Sequence, residues 1–134
     1  MKTKRFSHEC VLIEDTDIKT IYVAGGFDEN DNLLDSIETL KLANANINQN
    51  EWKLEKIFLP MPLHSFQMVR SNDKNILFYV VGGDPTKENM NQPYSKKIYG
   101  LTKLKSWEEM GSLREGRASH QTVNVPLSYL KGCQ

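Results

Sequence analysis

The sequence predicts an all-β protein, built from one four-stranded antiparallel unit written twice and begun a third time. Three observations carry that prediction. First, "IYVAGG" at 21–26 and "FYVVGG" at 78–83 each run apolar, stop at a glycine pair and turn polar, and the pairs Gly25-Gly26 and Gly82-Gly83 stand 57 residues apart. Second, His8, His64 and His120 are spaced 56 residues apart, in "RFSHECV", "PLHSFQMV" and "RASHQTV". Third, "DSIETLKL" at 35–42 and "YSKKIYGL" at 94–101 are 59 apart, and Trp52 and Trp107, 55 apart, close the units. Four landmarks in one order at one period mark an internal repeat, and spacings that vary by a few residues are what loop-length changes produce.

Taken in order, the strands of the first unit fall near 8–14, 18–24, 35–42 and 51–58. Those of the second fall near 64–70, 76–81, 95–102 and 106–110, and 117–125 opens a third. Clusters such as "EDTD", "NANINQN", "SNDKN" and "GSLREG" supply the Asn, Asp, Ser and Gly that turns between them require. The second strand of each unit does not alternate apolar with polar, so both of its faces are expected to be buried. One local rival exists. Leu33, Ile37, Leu40 and Ile47 fall near helical spacing, as do Ile98, Leu101 and Leu104, which would suit β-α units with a small-ligand site. Gly100 interrupts the second of these helices, Thr39, Asn44 and Asn46 weaken the first, and the His and Trp landmarks are left without a role.

Bulk properties narrow the function. At 134 residues a single domain is expected, and 39% apolar residues suffice for a core. The 17 basic and 17 acidic residues cancel and are interspersed, so neither nucleic acid nor an anionic membrane surface is expected as partner. Cys10 and Cys133 form no disulfide framework or metal set. No apolar segment follows the basic start, as a secretory signal would need, and no apolar run approaches a membrane span. A cytoplasmic protein is the expectation.

The landmarks His64, Gly82-Gly83, Tyr99 and Trp107 resemble those of the kelch-repeat family. The first unit carries His8, Gly25-Gly26 and Trp52, but Leu40 stands where the tyrosine is expected and an asparagine-rich insertion precedes Trp52. The resemblance implies blades of a β-propeller: repeat 1 at about 5–60, repeat 2 at about 61–115, the first strand of repeat 3 at about 116–125, and a tail at 126–134. The chain would then be a partial propeller of two four-stranded blades plus one extra strand. In that family the glycine, tyrosine and tryptophan landmarks pack the blades, and loops at one mouth of the ring contact partners. The implied function is a non-enzymatic adaptor or scaffold for a protein partner, as in ubiquitin-ligase substrate adaptors and actin-associated proteins. The competing class is part of a kelch-propeller enzyme of the oxidase, epimerase or specifier type.

No catalytic constellation, cofactor or metal site stands out. The three histidines are expected to mark one structural position in successive units, without a fourth donor at constant spacing. Asp28, Asn30 and Asn32 begin like a calcium loop, but Leu33 and Thr39 replace the required glycine and glutamate, which leaves a solvated hairpin. Ser7, Ser65 and Ser119 adjoin histidines, yet neighbours on a strand point to opposite faces, so no nucleophile–base pair is implied. The candidate contacts are loop residues at the mouth: Asp28, Glu29, Asp31, Asp84, Lys87, Glu88 and Arg114. Arg5 and Arg117 join them by resemblance, with Met61 in the equivalent place of the middle unit.

Propellers close with four to eight blades, more than this length holds. The expectation is a piece of a larger propeller; the alternatives are copies assembling into a ring, or a two-blade module leaning on a partner. Uncovered blade faces also favour self-association.

Overall fold

The computed structural model describes residues 1–15, 18–42, 51–87 and 93–125, and every regular element among them is a β-strand. Strands β1 (Glu9–Asp15), β2 (Ile18–Ala24), β3 (Ser36–Leu42) and β4 (Trp52–Phe58) form one four-stranded antiparallel sheet in that order. Strands β5 (Gln67–Arg70), β6 (Ile76–Val81), β7 (Lys97–Thr102) and β8 (Trp107–Ser112) repeat the arrangement in a second sheet. No helix occurs among the described residues, so the β-α rival fails where it can be checked. Leu40 and Ile98 lie in β3 and β7, where two-residue periodicity and ladder hydrogen bonds override an accidental helical spacing. Ile47 and the asparagine-rich insertion at 43–50 lie outside the described residues, as do Glu88, Cys133 and the tail.

The sheets stack face to face. Val11, Ile13, Tyr22, Ala24 and Ile37 of the first meet Met68, Phe78, Val80 and Leu101 of the second, while Leu59, Leu63 and Phe66 from the connecting segment seal one end. Phe78 sits 5.3 Å from the Tyr22 ring and 6.0 Å from Trp107, edge-on to the latter. Each such large side chain withdrawn from water stabilises by about 1.5–3 kcal/mol. Trp107 also donates its indole N–H to the Phe58 carbonyl of the first sheet, at 2.6 Å. The outer side of each sheet keeps exposed apolar residues, Leu12 and Leu54 on the first and Met110 on the second.

Three expectations change. The histidine ruler gives the right mean period and the wrong residue. Ser65 N–H donates to the Ser7 carbonyl and Ser119 N–H to that of Ser65, and all three serines hold φ between 51° and 53°. Successive units are therefore offset by 58 and then 54 residues. Phe66, not His64, corresponds to His8 and His120. The Phe66 ring lies over Gly25 as the His120 ring lies over Gly82, and Phe66 abuts Gly83 as His8 abuts Gly26. Leu63, not Met61, corresponds to Arg5 and Arg117. Likewise Val23 pairs with Glu38 as Val80 pairs with Tyr99, so Glu38 rather than Leu40 holds the tyrosine's place. Finally, 117–125 is no strand: it meets the second sheet through scattered bonds, such as Asn124 to the Arg70 carbonyl at 2.8 Å, without a continuous ladder.

Candidate partner-binding mouth

Each glycine pair is a junction of three segments. Gly26 N–H donates to Leu63 O at 2.8 Å while Gly26 O accepts from Leu34 N–H at 2.8 Å. Gly83 repeats this with Arg117 O at 2.7 Å and Ser95 N–H at 2.8 Å. The loop after β2 or β6 is thus tied to the segment leading into the next unit. Backbone passes close to both glycines of the first pair, which adopt φ of +63° and +81°, a region that side chains disfavour.

These junctions bring Phe6, Phe27, His64, Asp84 and Lys87 to one end of the stacked sheets. Phe6 and Phe27 exchange backbone hydrogen bonds of 3.0 and 2.9 Å and stack at 5.3 Å between ring centroids. The His64 ring lies 4.7 Å from that of Phe27. Phe27 is buried beneath, whereas Phe6 keeps 48% of its surface exposed. Phe6, Phe27, Asp31 and Lys87 line a shallow depression of about 240 Å³.

The predicted contact residues divide by what they already hold. Asp28 accepts backbone N–H bonds from Asn30 and Asn32, both at 2.8 Å, and a side-chain bond from Asn32 at 3.0 Å. Those bonds, led by the Asn32 amide, keep its pKa below the ordinary value, and it serves as the loop's staple. Asp84 staples the second loop, taking Thr86 N–H at 2.8 Å and Thr86 Oγ1 at 2.7 Å. Glu29 is exposed and pairs with Lys4 at 3.2 Å. Asp31 and Lys87 face the depression, while Arg114 and Arg117 lie exposed in the segment that follows β8.

Arg5 is a correction, since its side chain and that of its partner Glu38 are fully buried, 2.8 Å apart. The guanidinium also donates to Gly25 O at 3.0 Å and Ser36 O at 3.1 Å, and Glu38 accepts the Lys2 and Thr3 N–H groups at 2.6 and 3.0 Å. An arginine in a loop before a strand reads as surface charge; only the glutamate across the sheet, in an unrecognised register, could have signalled otherwise.

The serine–histidine geometry also differs from expectation. Ser65 is not in extended conformation, and at φ 52° its hydroxyl swings back to lie 2.9 Å from His64 Nδ1. A carbonyl only accepts, so Nε2 carries the proton it donates to Thr86 O at 3.1 Å, while Nδ1 and the Ser65 hydroxyl share the second hydrogen bond. Asp84 Oδ2 is 3.6 Å from Nε2. The three groups lock the loop, and neither Ser65 nor His64 lines the depression. His8 and His120 are shielded instead: burial first, then the nearby Arg5 and Arg117 charges, push their pKa values down. Among the described residues no group of three or more His, Cys, Asp or Glu is placed to hold a metal ion, and no helix is long and apolar enough to cross a membrane.

No family model matches the chain, and no curated protein matches it significantly. What stands is the class of protein: an all-β chain of two stacked four-stranded antiparallel sheets, with a loop mouth at the glycine-pair end.

Proposed function

We propose that the chain is part of a kelch-type β-propeller in the cytoplasm, serving without catalysis as an adaptor or scaffold whose protein partner seats on the glycine-pair mouth. One observation carries the reading. The loops of both units and the segments between them meet at a single end, held by inter-unit hydrogen bonds, and present an exposed phenylalanine beside Lys87 and Asp31. Loops on a rigid scaffold are where recognition concentrates, and an aromatic anchor ringed by charges is a favoured contact.

A photo-crosslinking residue placed at Phe6 tests this, with one at Lys56, exposed in the middle of β4, as control. The expected result is a crosslinked protein at Phe6, absent at Lys56 and lost when Lys87→Glu is added. Equal crosslinking from both positions, or none from Phe6, would overturn the mouth as the interaction surface.

A further inference from the structure

A second cleft lies at the opposite end of the sheets, lined among the described residues by both units. The first residues of β2, the end of β3 and the β7–β8 turn enclose about 260 Å³ where the sheets splay apart. Its floor is apolar, made by Ile13 and Leu77, with Ile18 half exposed at the edge. Its rim carries Lys41, Lys103 and Lys105, and among the residues whose side chains are described no carboxylate lines it.

Among the residues whose side chains are described, no carboxylate lies within 4.0 Å of these lysines. Glu14, in the adjoining cleft, is already shared by Lys19 at 3.0 Å and Arg70 at 3.2 Å. Lys105 is oriented without being neutralised: its ammonium donates to Tyr22 Oη at 2.5 Å and lies 4.7 Å from the centre of that ring. An ammonium has three N–H donors, so it has further donors to offer a ligand.

The turn beside the cleft supplies a second, independent observation. "TKLKS" crosses from β7 to β8, and Leu104 at its tip is 91% exposed, flanked by Lys103 and Lys105. A tight turn favours Asn, Asp, Gly or Ser, and a leucine there neither helps the turn nor buries its side chain. Cations around apolar floor and tip call for a ligand with negative charge and apolar side chains together. We propose that this cleft docks an extended acidic peptide segment bearing leucine-like residues, with carboxylates on Lys41, Lys103 and Lys105. Nucleic acid would meet the charges but leave Leu104, Ile18 and Leu77 without partners. The proposal is independent of the mouth at the other end.

The probe is a fluorescein-labelled octapeptide of six acidic residues and two leucines, titrated with the whole chain and followed by anisotropy. Expected is saturable binding that weakens as salt rises, because exposed charges are screened. Lys41→Glu with Lys103→Glu should weaken it about tenfold or more, as two attractions become repulsions. Leu104→Ser should weaken it about threefold, with an unchanged far-ultraviolet circular dichroism spectrum and melt. Replacing the peptide's leucines with serine should lower affinity likewise. No binding by the folded wild type, or binding indifferent to the lysine reversals, would overturn the proposal. So would tighter binding of a single-stranded oligonucleotide than of the peptide.

Discussion

Replacing Glu38 by glutamine tests whether the first sheet depends on its internal charge pair. The carboxylate accepts from Lys2 N–H, Thr3 N–H and Arg5, and both side chains of the pair are fully buried. Glutamine keeps the shape, but its amide NH₂ must face one of those donors, and the guanidinium is left uncompensated away from water. Breaking a buried pair from one side costs about 3–5 kcal/mol. At this chain length each kcal/mol moves the melting point by roughly 3–5 °C, so a drop of about 10–20 °C is expected in a calorimetric or circular dichroism melt. Removing both charges, as Arg5→Met with Glu38→Leu, should cost clearly less than the sum of the two single changes, since no orphan charge remains, although Lys2 N–H, Thr3 N–H and the Gly25 and Ser36 carbonyls lose these partners. It also removes Arg5 Nε, a buried donor without a partner. The pH dependence follows with a definite sign. Burial alone would raise the Glu38 pKa, but the two backbone donors and Arg5 outweigh it and hold it below 4.5. A depressed folded value means the stabilisation is present above the unfolded value and fades as pH falls through the folded one. The gap between wild type and E38Q should therefore shrink only below about pH 4.5. His8 and His120, whose folded pKa values lie below 6.5, weaken both proteins as pH falls below 6.5, so the gap between the two proteins is the quantity to follow. A melt of E38Q within about 2 °C of wild type, or a double variant as damaged as the sum of its parts, would refute the reasoning.

Other outcomes follow from the corrected register. Phe66→Ala should cost about 3–5 kcal/mol in urea unfolding, whereas His64→Ala, which loses two loop hydrogen bonds, should cost about 1–2 kcal/mol. Gly25→Ala should cost about 2–4 kcal/mol by the same measurement: the new Cβ meets Leu63 O and stands 2.7 Å from Phe66 Cε1, at a φ of +63°. Light scattering should show the mass rising with concentration, through the apolar outer faces, and Leu12→Thr with Leu54→Thr should reduce that rise.

The sheets were legible because the signals that specify them are local. Apolar runs ending in glycine pairs gave both second strands, and Trp52 and Trp107 proved equivalent, opposite Leu40 and Leu101 respectively. The register was not legible, because unequal spacings of 58 and 54 average to the histidine spacing of 56. His64 then stood in for Phe66, though one faces the mouth and the other fills the core. The loop charges were found, but not their employment: Asp28 and Asp84 use their oxygens on their own loops, which depends on backbone angles that composition does not encode. Tyr22 beneath Lys105 was invisible for a similar reason, since the contact joins residues 83 positions apart.

The buried pair also reaches the mouth. In the second unit Tyr99 and Leu63 occupy the places held by Glu38 and Arg5 in the first, so the first unit uses charge where the second uses apolar side chains. Arg5 anchors the backbone immediately before Phe6, through Gly25 O, Ser36 O and Glu38, and Ser7 at φ 53° turns it immediately after. The exposed ring of Phe6 is therefore presented from a backbone fixed on both sides. Loosening Arg5 lets that segment move, and a partner must then restrain it at its own expense of binding free energy. Glu38→Gln, at a temperature where the variant is still folded, should lower crosslinking from Phe6 severalfold while leaving the acidic octapeptide's affinity for the Lys41–Lys103–Lys105 cleft unchanged. Equal loss at both ends would mean that the pair supports the whole sheet and does not position the mouth; retained crosslinking at Phe6 would mean that Phe27 alone, with its two backbone bonds, holds the ring in place.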